Sequence, residues 1–280
     1  MSPPWRRRLT DLQATLDHCA RQWRLDLGPP FSGLSFNYTA PVRLPDGGQA
    51  VLKLCPPDEP ELQTEVAALR MYGGCGAVRL LATDPDVGAL LLERAVPGTA
   101  LPHGPRAEVV VAQVMTRLHR PVAVPHPFPT VADWGRRACT QHRARYGGAG
   151  PLPRRLFEEA ETTLAETPAE PRLLHGDLHH ANLLAAAREP WLAIDPKGVV
   201  GEPAFETYAF LHNPVRVAIA AGAQRHRADA LADALGMERA RLRRWARAGI
   251  VLSAVWTLSD PDPSEADWRH AVHCAEALAG

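Results

Sequence analysis

Apolar residues recur at spacings of three and four across residues 6–25, putting Leu9, Leu12, Leu16, Cys19, Ala20 and Trp23 on one helical face. The breaker Leu27-Gly28-Pro29-Pro30 ends that helix. Residues 31–44 and 49–55 then read as strands around Pro45-Asp46-Gly47-Gly48, a turn where glycine can supply positive φ. Asp58-Glu59-Pro60-Glu61 predicts a helix start, with Asp58 as the cap and proline in the first turn. Leu62, Val66 and Leu69 form its apolar stripe, and Gly73-Gly74 closes it. Two more strands are predicted over 77–82 and 87–93, the second running on through Ala95 as the last strand of a small sheet. Beyond the connector Val96-Pro97-Gly98 the pattern turns helical: 106–119 with Val109, Val110, Val114 and Leu118 inward, then 134–146 and 152–166. A strand–loop–strand hairpin over 173–184 interrupts it, and helices are predicted at 204–222, 225–235, 238–258 and 264–278. The fold class is α+β: a small β-sheet lobe with one helix of interest over 1–95, and a larger, mainly helical lobe over 96–280.

Composition narrows the class without choosing a function. Apolar residues make up 46% and charged residues 22%, and Lys plus Arg balance Asp plus Glu, so no basic field argues for a nucleic-acid partner. Arg6-Arg7-Arg8 reads as a solvated helix start. Five scattered cysteines without a Cys-x-x-Cys pair disfavour a zinc ribbon or disulfide framework. No secretory signal is evident at the start, and the longest apolar run, Ala248 to Leu258, is too short to span a membrane. A cytoplasmic protein with no obligate protein partner is expected.

The chemistry concentrates in His175-Gly176-Asp177-Leu178-His179-His180-Ala181-Asn182, flanked by apolar pairs, with Asp195 following another apolar run. Phosphoryl transfer needs such a layout: Asp177 to receive a hydroxyl proton, and Asn182 and Asp195 as hard oxygen ligands for magnesium. His179 is placed where a cation or donor could reach the reacting group, whereas His175 reads as a backbone brace. Strand alternation sets Lys53 opposite Leu52 and Leu54, and Glu65 follows on the next helix at the margin of its buried face. An edge-strand lysine is the bland alternative, but with the downstream loop present the pair reads as a phosphate-binding lysine and the glutamate that orients it. No Gly-x-Gly-x-x-Gly is present, so Ser35, Asn37 and backbone amides of residues 34–40 would have to cover the phosphates. The hinge near 93–98, including Glu93 and Ala95, would receive adenine. His270, His273 and Cys274 have metal-capable spacing but read as an ordinary helix surface.

These motifs resemble those of the aminoglycoside and hydroxyurea phosphotransferases, with nearest similarity to the streptomycin 6-phosphotransferases. His-Gly-Asp-Leu-His-His-Ala-Asn (175–182) and Ile-Asp-Pro-Lys-Gly (194–198) carry the resemblance. Ser-Phe-Asn-Tyr (35–38), Ala-Val-Leu-Lys-Leu (50–54), Ala-Leu-Leu-Leu-Glu-Arg (89–94) and His-Asn-Pro (212–214) extend it along the chain. The resemblance implies a protein-kinase-like two-lobed fold, ATP and Mg2+ as cofactors, and a small-molecule acceptor. By it, Lys53 contacts the α/β-phosphates, Glu65 orients Lys53, Asp177 is the catalytic base, and Asn182 with Asp195 binds magnesium. Glu206 would brace the catalytic loop where related small-molecule kinases carry aspartate.

Only ten residues separate Asp195 from Glu206, too few for the activation segment that seats a peptide, so a small-molecule substrate is expected. The resemblance implies streptomycin at its 6-hydroxyl. A cationic aminoglycoside should meet carboxylates, for which Glu202, Asp260, Asp262, Glu265 and Asp267 are candidates; a solvated acidic turn with capping residues is the competing reading of the cluster. Two alternatives stand beside streptomycin: another small acceptor such as hydroxyurea or a metabolite alcohol, and a kinase-fold nucleotide-binding protein without transfer activity.

Overall fold

The computed structural model describes residues 11–32, 37–104, 106–213 and 221–279. The Arg6–Arg8 run, Leu9 and Ser35 lie outside the described residues. Helix α1 (Leu12–Trp23) starts at Asp11, whose side chain accepts the Ala14 N–H, and ends at Arg24 in the left-handed region. Strands β1 (Asp26–Leu27), β2 (Tyr38–Arg43), β3 (Gln49–Leu54), β4 (Leu80–Asp84) and β5 (Ala89–Glu93) form one antiparallel sheet in the order β1-β2-β3-β5-β4. Gly47 turns the β2–β3 hairpin at φ +84, and Asp46 Oδ1 accepts the Gly48 N–H at 2.8 Å.

The two faces of β3 have different fates. Ala50, Leu52 and Leu54 are fully buried with Leu16 and Cys19 of α1 and with Tyr38, Ala40 and Val42 of β2. Val51 and Lys53 point the other way, into a cleft. Helix α2 (Pro60–Tyr72) packs beside that face, with proline at its start and Gly73 at φ +58 closing it. Its N-cap is Glu59, one position later than the predicted Asp58, because Pro60 fixes the first helical φ and so sets the boundary.

Past β5 the chain does not run as a bare connector. Strand β6 (Pro97–Ala100) pairs with β9 (Leu183–Ala186), which pairs with β10 (Trp191–Ala193). A second small sheet joins β7 (Arg120–Pro121), β8 (Arg172–Leu174) and β11 (Val199–Gly201). The strands entering and leaving the 175–182 loop, β8 and β9, therefore belong to different sheets and are not a hairpin. Local pattern identifies strands, but partner choice depends on residues far away in sequence. Here it straddles the loop between two sheets and fixes it at both ends.

The helices are α3 (Ala107–Leu118), α4 (Val131–Tyr146), α5 (Arg154–Leu164), α6 (Thr207–His212), α7 (Ala221–Leu235), α8 (Arg239–Ser259) and α9 (Glu265–Ala277). Two expectations are corrected. In α3 Val114 and Leu118 are buried as predicted and Val110 is half-buried, but Val109 is exposed and Val111 and Met115 are buried, so the inward face is rotated somewhat from the one predicted. The helix expected over 204–222 begins as a 3-10 turn and ends as α6 at His212, and residues 214–220 lie outside the described set. Helix α8 packs against α4, α5, α6, α7 and α9, which accounts for the apolar run within it: a helix surrounded by others is buried all round. His270 and Cys274 pack inward on α9, with His270 Nε2 2.9 Å from the His212 carbonyl, while His273 is exposed; the three do not share a face. Among the described residues no helix is long and apolar enough to cross a membrane.

Candidate active site

Between the five-stranded sheet and the helical lobe lies a cleft of about 1090 Å³, lined by Asn37, Val51, Lys53, Glu65, Leu92, Glu93, Ala95, Asp177, His179, Asn182, Asp195 and Lys197, among others. Residues expected to act together from three distant parts of the chain meet there. Lys53 is 5% exposed and Glu65 5% exposed, a burial each tolerates only with a partner. Lys53 Nζ donates to both Glu65 oxygens at 2.7 Å and also bonds Asp195 Oδ1. Burial alone would push the ammonium down, but the Glu65 and Asp195 carboxylates outweigh it and hold Lys53 above its ordinary value, so it remains charged. Burial likewise opposes ionisation of Asp195, yet Lys53 and Lys197 hold that carboxyl well below the usual carboxylate range.

The 175–182 loop is held by its own histidine and by α6's leading turn. The His175 ring, fully buried, accepts the Asp177 N–H at Nδ1 (3.2 Å) and donates from Nε2 to the Ile194 carbonyl (2.8 Å). The His175 carbonyl in turn accepts the Lys197 N–H at 2.7 Å, so one residue ties the Asp177 turn to the Asp195 turn. Burial lowers the imidazole below its ordinary value, consistent with a neutral ring using one nitrogen in each role. Beneath, Glu206 is fully buried and accepts the His175 N–H (2.5 Å) and Gly176 N–H (2.8 Å) on separate oxygens. Tyr208 donates its hydroxyl to the Gly176 carbonyl at 2.7 Å. Gly176 sits at φ +86, and a Cβ there would lie 2.9 Å from Trp134, so the turn requires glycine twice over.

This scaffold leaves Asp177 facing the cleft with its side chain 34% exposed. Desolvation raises its carboxyl to about 7, against the pull of Lys197. Asn182 Nδ2 donates to the Asp177 carbonyl at 2.8 Å, which turns the carboxamide oxygen away from that contact and leaves it as the acceptor end. Asp195 occupies a left-handed conformation at φ +60, tolerated by aspartate better than by most side chains. Of the two roles that its position allowed for His179, cation or donor, burial favours the donor. Burial lowers it to about 4, and Nδ1 accepts the Ala181 N–H at 3.2 Å, leaving a neutral Nε2–H donor 3.8 Å from Asp177 Oδ1. His180 turns away and stacks on Phe210.

The remaining expected residues divide. Ala95 lines the cleft, as does Asn37. The Glu93 carboxylate is taken by Arg188, through Nε to Oε1 and Nη2 to Oε2, both 2.8 Å, so only its main chain is left to face a ligand. Glu202 is 3% exposed and paired with Arg241 at 2.8 Å, and it does not line the cleft. Asp260 caps the end of α8, Glu265 pairs with Arg269, and Asp267 lies in the first turn of α9 capped by Ser264. None of the five candidate substrate carboxylates, Asp262 included, lines the cleft; Glu59 and Glu61 do. Charge and nearness in sequence drew attention to those five, but neither reports which side chains face the cleft. Arg188, Tyr208 and Thr64 were missed because nothing local marks them. Lys197 could have been found, since it stands two residues from Asp195.

The oxygens of Asn182 and Asp195 are hard donors, and a pair of them suits magnesium, which keeps waters and phosphate oxygens in its remaining positions. A lysine fixed by a buried glutamate, a loop carboxylate and this donor pair around one cleft can hold a phosphorylated nucleotide and present it to a hydroxyl.

Residues 27–261 match the profile of the aminoglycoside/hydroxyurea antibiotic resistance kinase family. The chain is 38% identical to a hydroxyurea phosphotransferase of Kitasatospora aureofaciens, over 92% of this chain and 76% of the relative. It is 33% identical to a streptomycin 6-kinase of Streptomyces glaucescens, over 96% of this chain and 90% of the relative. Its fold resembles that of the aminoglycoside phosphotransferase APH(4)-Ia, solved with ADP and hygromycin B, at a TM-score of 0.62 and 14% identity, covering 97% of this chain and 100% of that one. The chain therefore belongs to the aminoglycoside/hydroxyurea antibiotic resistance kinase family and is a phosphotransferase acting on a hydroxyl group.

Proposed function

We propose that this chain catalyses ATP- and Mg2+-dependent phosphorylation of streptomycin at its 6-hydroxyl. The observation that carries the reaction class is the convergence of Lys53, Glu65, Asp177, Asn182 and Asp195 on one cleft. Lys53 grips the α/β-phosphates and Glu65 holds it in place. The main chain of Glu93 and Ala95 receives adenine, and Asn37, which lines the cleft, serves the phosphates; Ser35, expected to share that role, lies outside the described residues. Asp177 orients the acceptor hydroxyl and accepts its proton; its direct exposure to the cleft supports that role. His179 supplies a neutral donor beside Asp177, and Asn182 and Asp195 hold magnesium, which when bound neutralises charge between the phosphate oxygens. Consumption of ATP suits a cytoplasmic location.

Arg188 grips Glu93 and also donates to the carbonyls of Gly74 and Ala77, bracing the segment that would receive adenine. Arg188→Ala leaves the partly buried Glu93 carboxylate with the Arg79 N–H but without its charged partner, so a stability loss of about 1–3 kcal/mol is expected. Thermal denaturation measures that loss. Steady-state kinetics should find the KM for ATP raised several-fold with kcat little changed, because no bond of Arg188 reaches Asp177.

A streptomycin acceptor gains a physical rationale from charge: a phosphate added to a cationic drug opposes binding to anionic RNA. Hydroxyurea is the second reading, favoured by the 38% identity to a hydroxyurea phosphotransferase. Mass spectrometry of streptomycin and of hydroxyurea, each incubated with the protein and Mg·ATP, tests both. One phosphoryl unit gained by streptomycin alone is the expected result. A gain on hydroxyurea alone would transfer the assignment, and ATP binding without any acceptor modified would favour a nucleotide-binding role.

A further inference from the structure

We propose that Lys197 is a second cleft cation serving the transfer step itself, its ammonium contacting the phosphoryl group as it passes from donor to acceptor. The inference rests on the phosphotransferase reading above. Among the described residues that line the cleft, the other lysine is Lys53, committed to Glu65 by two bonds of 2.7 Å and to Asp195, with its side chain 6% exposed. Arg94 also lines the cleft but donates to Gln49 at the sheet. His179 is neutral. Lys197 differs from all of these. Its Nζ stands 3.3 Å from Asp195 Oδ2 and 3.4 Å from Glu61 Oε2, with the side chain 26% exposed. Those are long contacts for an ammonium, and Glu61 is itself open to solvent, so the group has donor capacity to give to a third partner.

The stem of Lys197 is fixed where its head is not. The backbone N–H donates to the His175 carbonyl at 2.7 Å, and the Thr64 hydroxyl of α2 donates to the Lys197 carbonyl at 2.6 Å. Gly198 follows at φ +67, where a Cβ would lie 2.8 Å from the Thr64 carbonyl, so α2 and this turn are in close main-chain contact. The side chain is thus launched from a rigid point joined to both halves of the cleft and ends beside Asp195, on the lining it shares with Asp177. In the transfer, the bond from γ-phosphorus to the bridging oxygen breaks and its electron pair leaves with the diphosphate. The bond from acceptor oxygen to phosphorus forms, and the acceptor proton passes to Asp177. Negative charge on the peripheral oxygens is spread between these positions, and a fixed cation there stabilises the transition state more than the ground state. Lys197 keeps its proton throughout.

Lys197→Met and Lys197→Arg in the full chain test this. Affinity for the non-hydrolysable analogue AMP-PNP with Mg2+ is measured by calorimetry. Affinity for Mg·ADP with aluminium fluoride, a mimic of the phosphoryl group in flight, is followed by fluorine NMR, and turnover of ATP is measured with and without streptomycin. For Lys197→Met, AMP-PNP affinity should stay within about threefold while fluoride-complex affinity and kcat fall about 10²–10³-fold. Lys197→Arg should recover a large part of both. Equal losses of AMP-PNP and fluoride-complex affinity, accompanied by a lowered Tm, would indicate a brace and overturn the proposal, as would unchanged fluoride-complex binding in Lys197→Met. The fluoride measurement needs no acceptor, so a wrong substrate assignment leaves it intact. If the wild-type chain bound no Mg·ATP, the proposed nucleotide reaction would fail together with this inference.

Discussion

Asp177→Asn is expected to lower kcat by about 10²–10⁴-fold, the usual contribution of a positioned acid–base group. Affinity for Mg·ATP should stay close to wild type, because Lys53 and Glu65 hold their geometry without contacting Asp177. Asparagine preserves the shape of the side chain and one oxygen toward the acceptor but cannot take its proton. The loop itself should survive: its shorter bonds run through the Asp177 backbone to His175 and Asn182, and through Gly176 to Glu206 and Tyr208, while the bond from Asn182 Nδ2 to the carboxylate is long, at 3.4 Å, and an asparagine oxygen can accept it. Pre-steady-state kinetics separate the step affected. A loss confined to phosphoryl transfer, with normal nucleotide binding and an unchanged Tm, is the expected result. Full activity in Asp177→Asn would remove Asp177 from the mechanism.

Glu206→Ala is expected to be the most destabilising single change near the site, by about 3–5 kcal/mol. It strands the buried N–H groups of His175 and Gly176, whose acceptors are the two carboxylate oxygens. Burial alone would raise the Glu206 carboxyl, but His119, His175 and the Gly176 amide together hold it below its ordinary value. The sign of the pH dependence follows. A carboxyl with a depressed folded-state pKa contributes stability above its unfolded pKa, and that contribution is lost as pH falls through the folded value. The Tm gap between wild type and Glu206→Ala should therefore be widest near neutral pH and shrink below about pH 4, the range in which free glutamate protonates. Thermal scans across that range measure it; a pH-independent gap would mean the stability comes from packing and not from the carboxylate.

Glutamate at 206 raised a question that the sequence could not answer, because the reach of one extra methylene matters only relative to where the loop backbone sits. In the structure each oxygen meets one amide, so the longer side chain performs the bracing expected of aspartate in related kinases. Lys53 was legible for a different reason. A lysine among aliphatic strand residues has a face assigned by two-residue alternation, and a buried ammonium demands a carboxylate partner nearby. Glu65 answered that demand from the next helix. Arg188 and Glu93, ninety-five residues apart in the chain, gave no comparable sign, since an isolated arginine in a turn is usually solvated. The acidic residues 260–267 misled for the same reason: their count was visible and their orientation was not.

The amino-acid sequence by itself determined the main strands of the five-stranded sheet, most of the helices, the loop bearing Asp177 and Asn182, and the reaction chemistry, because periodicity and residue type are local properties. Tertiary structure alone decided that β8 and β9 part into separate sheets, that burial lowers His179, that Glu202 is spent on Arg241, and that the Lys197 ammonium sits between Asp195 and Glu61. Each of those depends on burial and on partners brought together from distant parts of the chain, and neither is encoded at the position where its effect is felt.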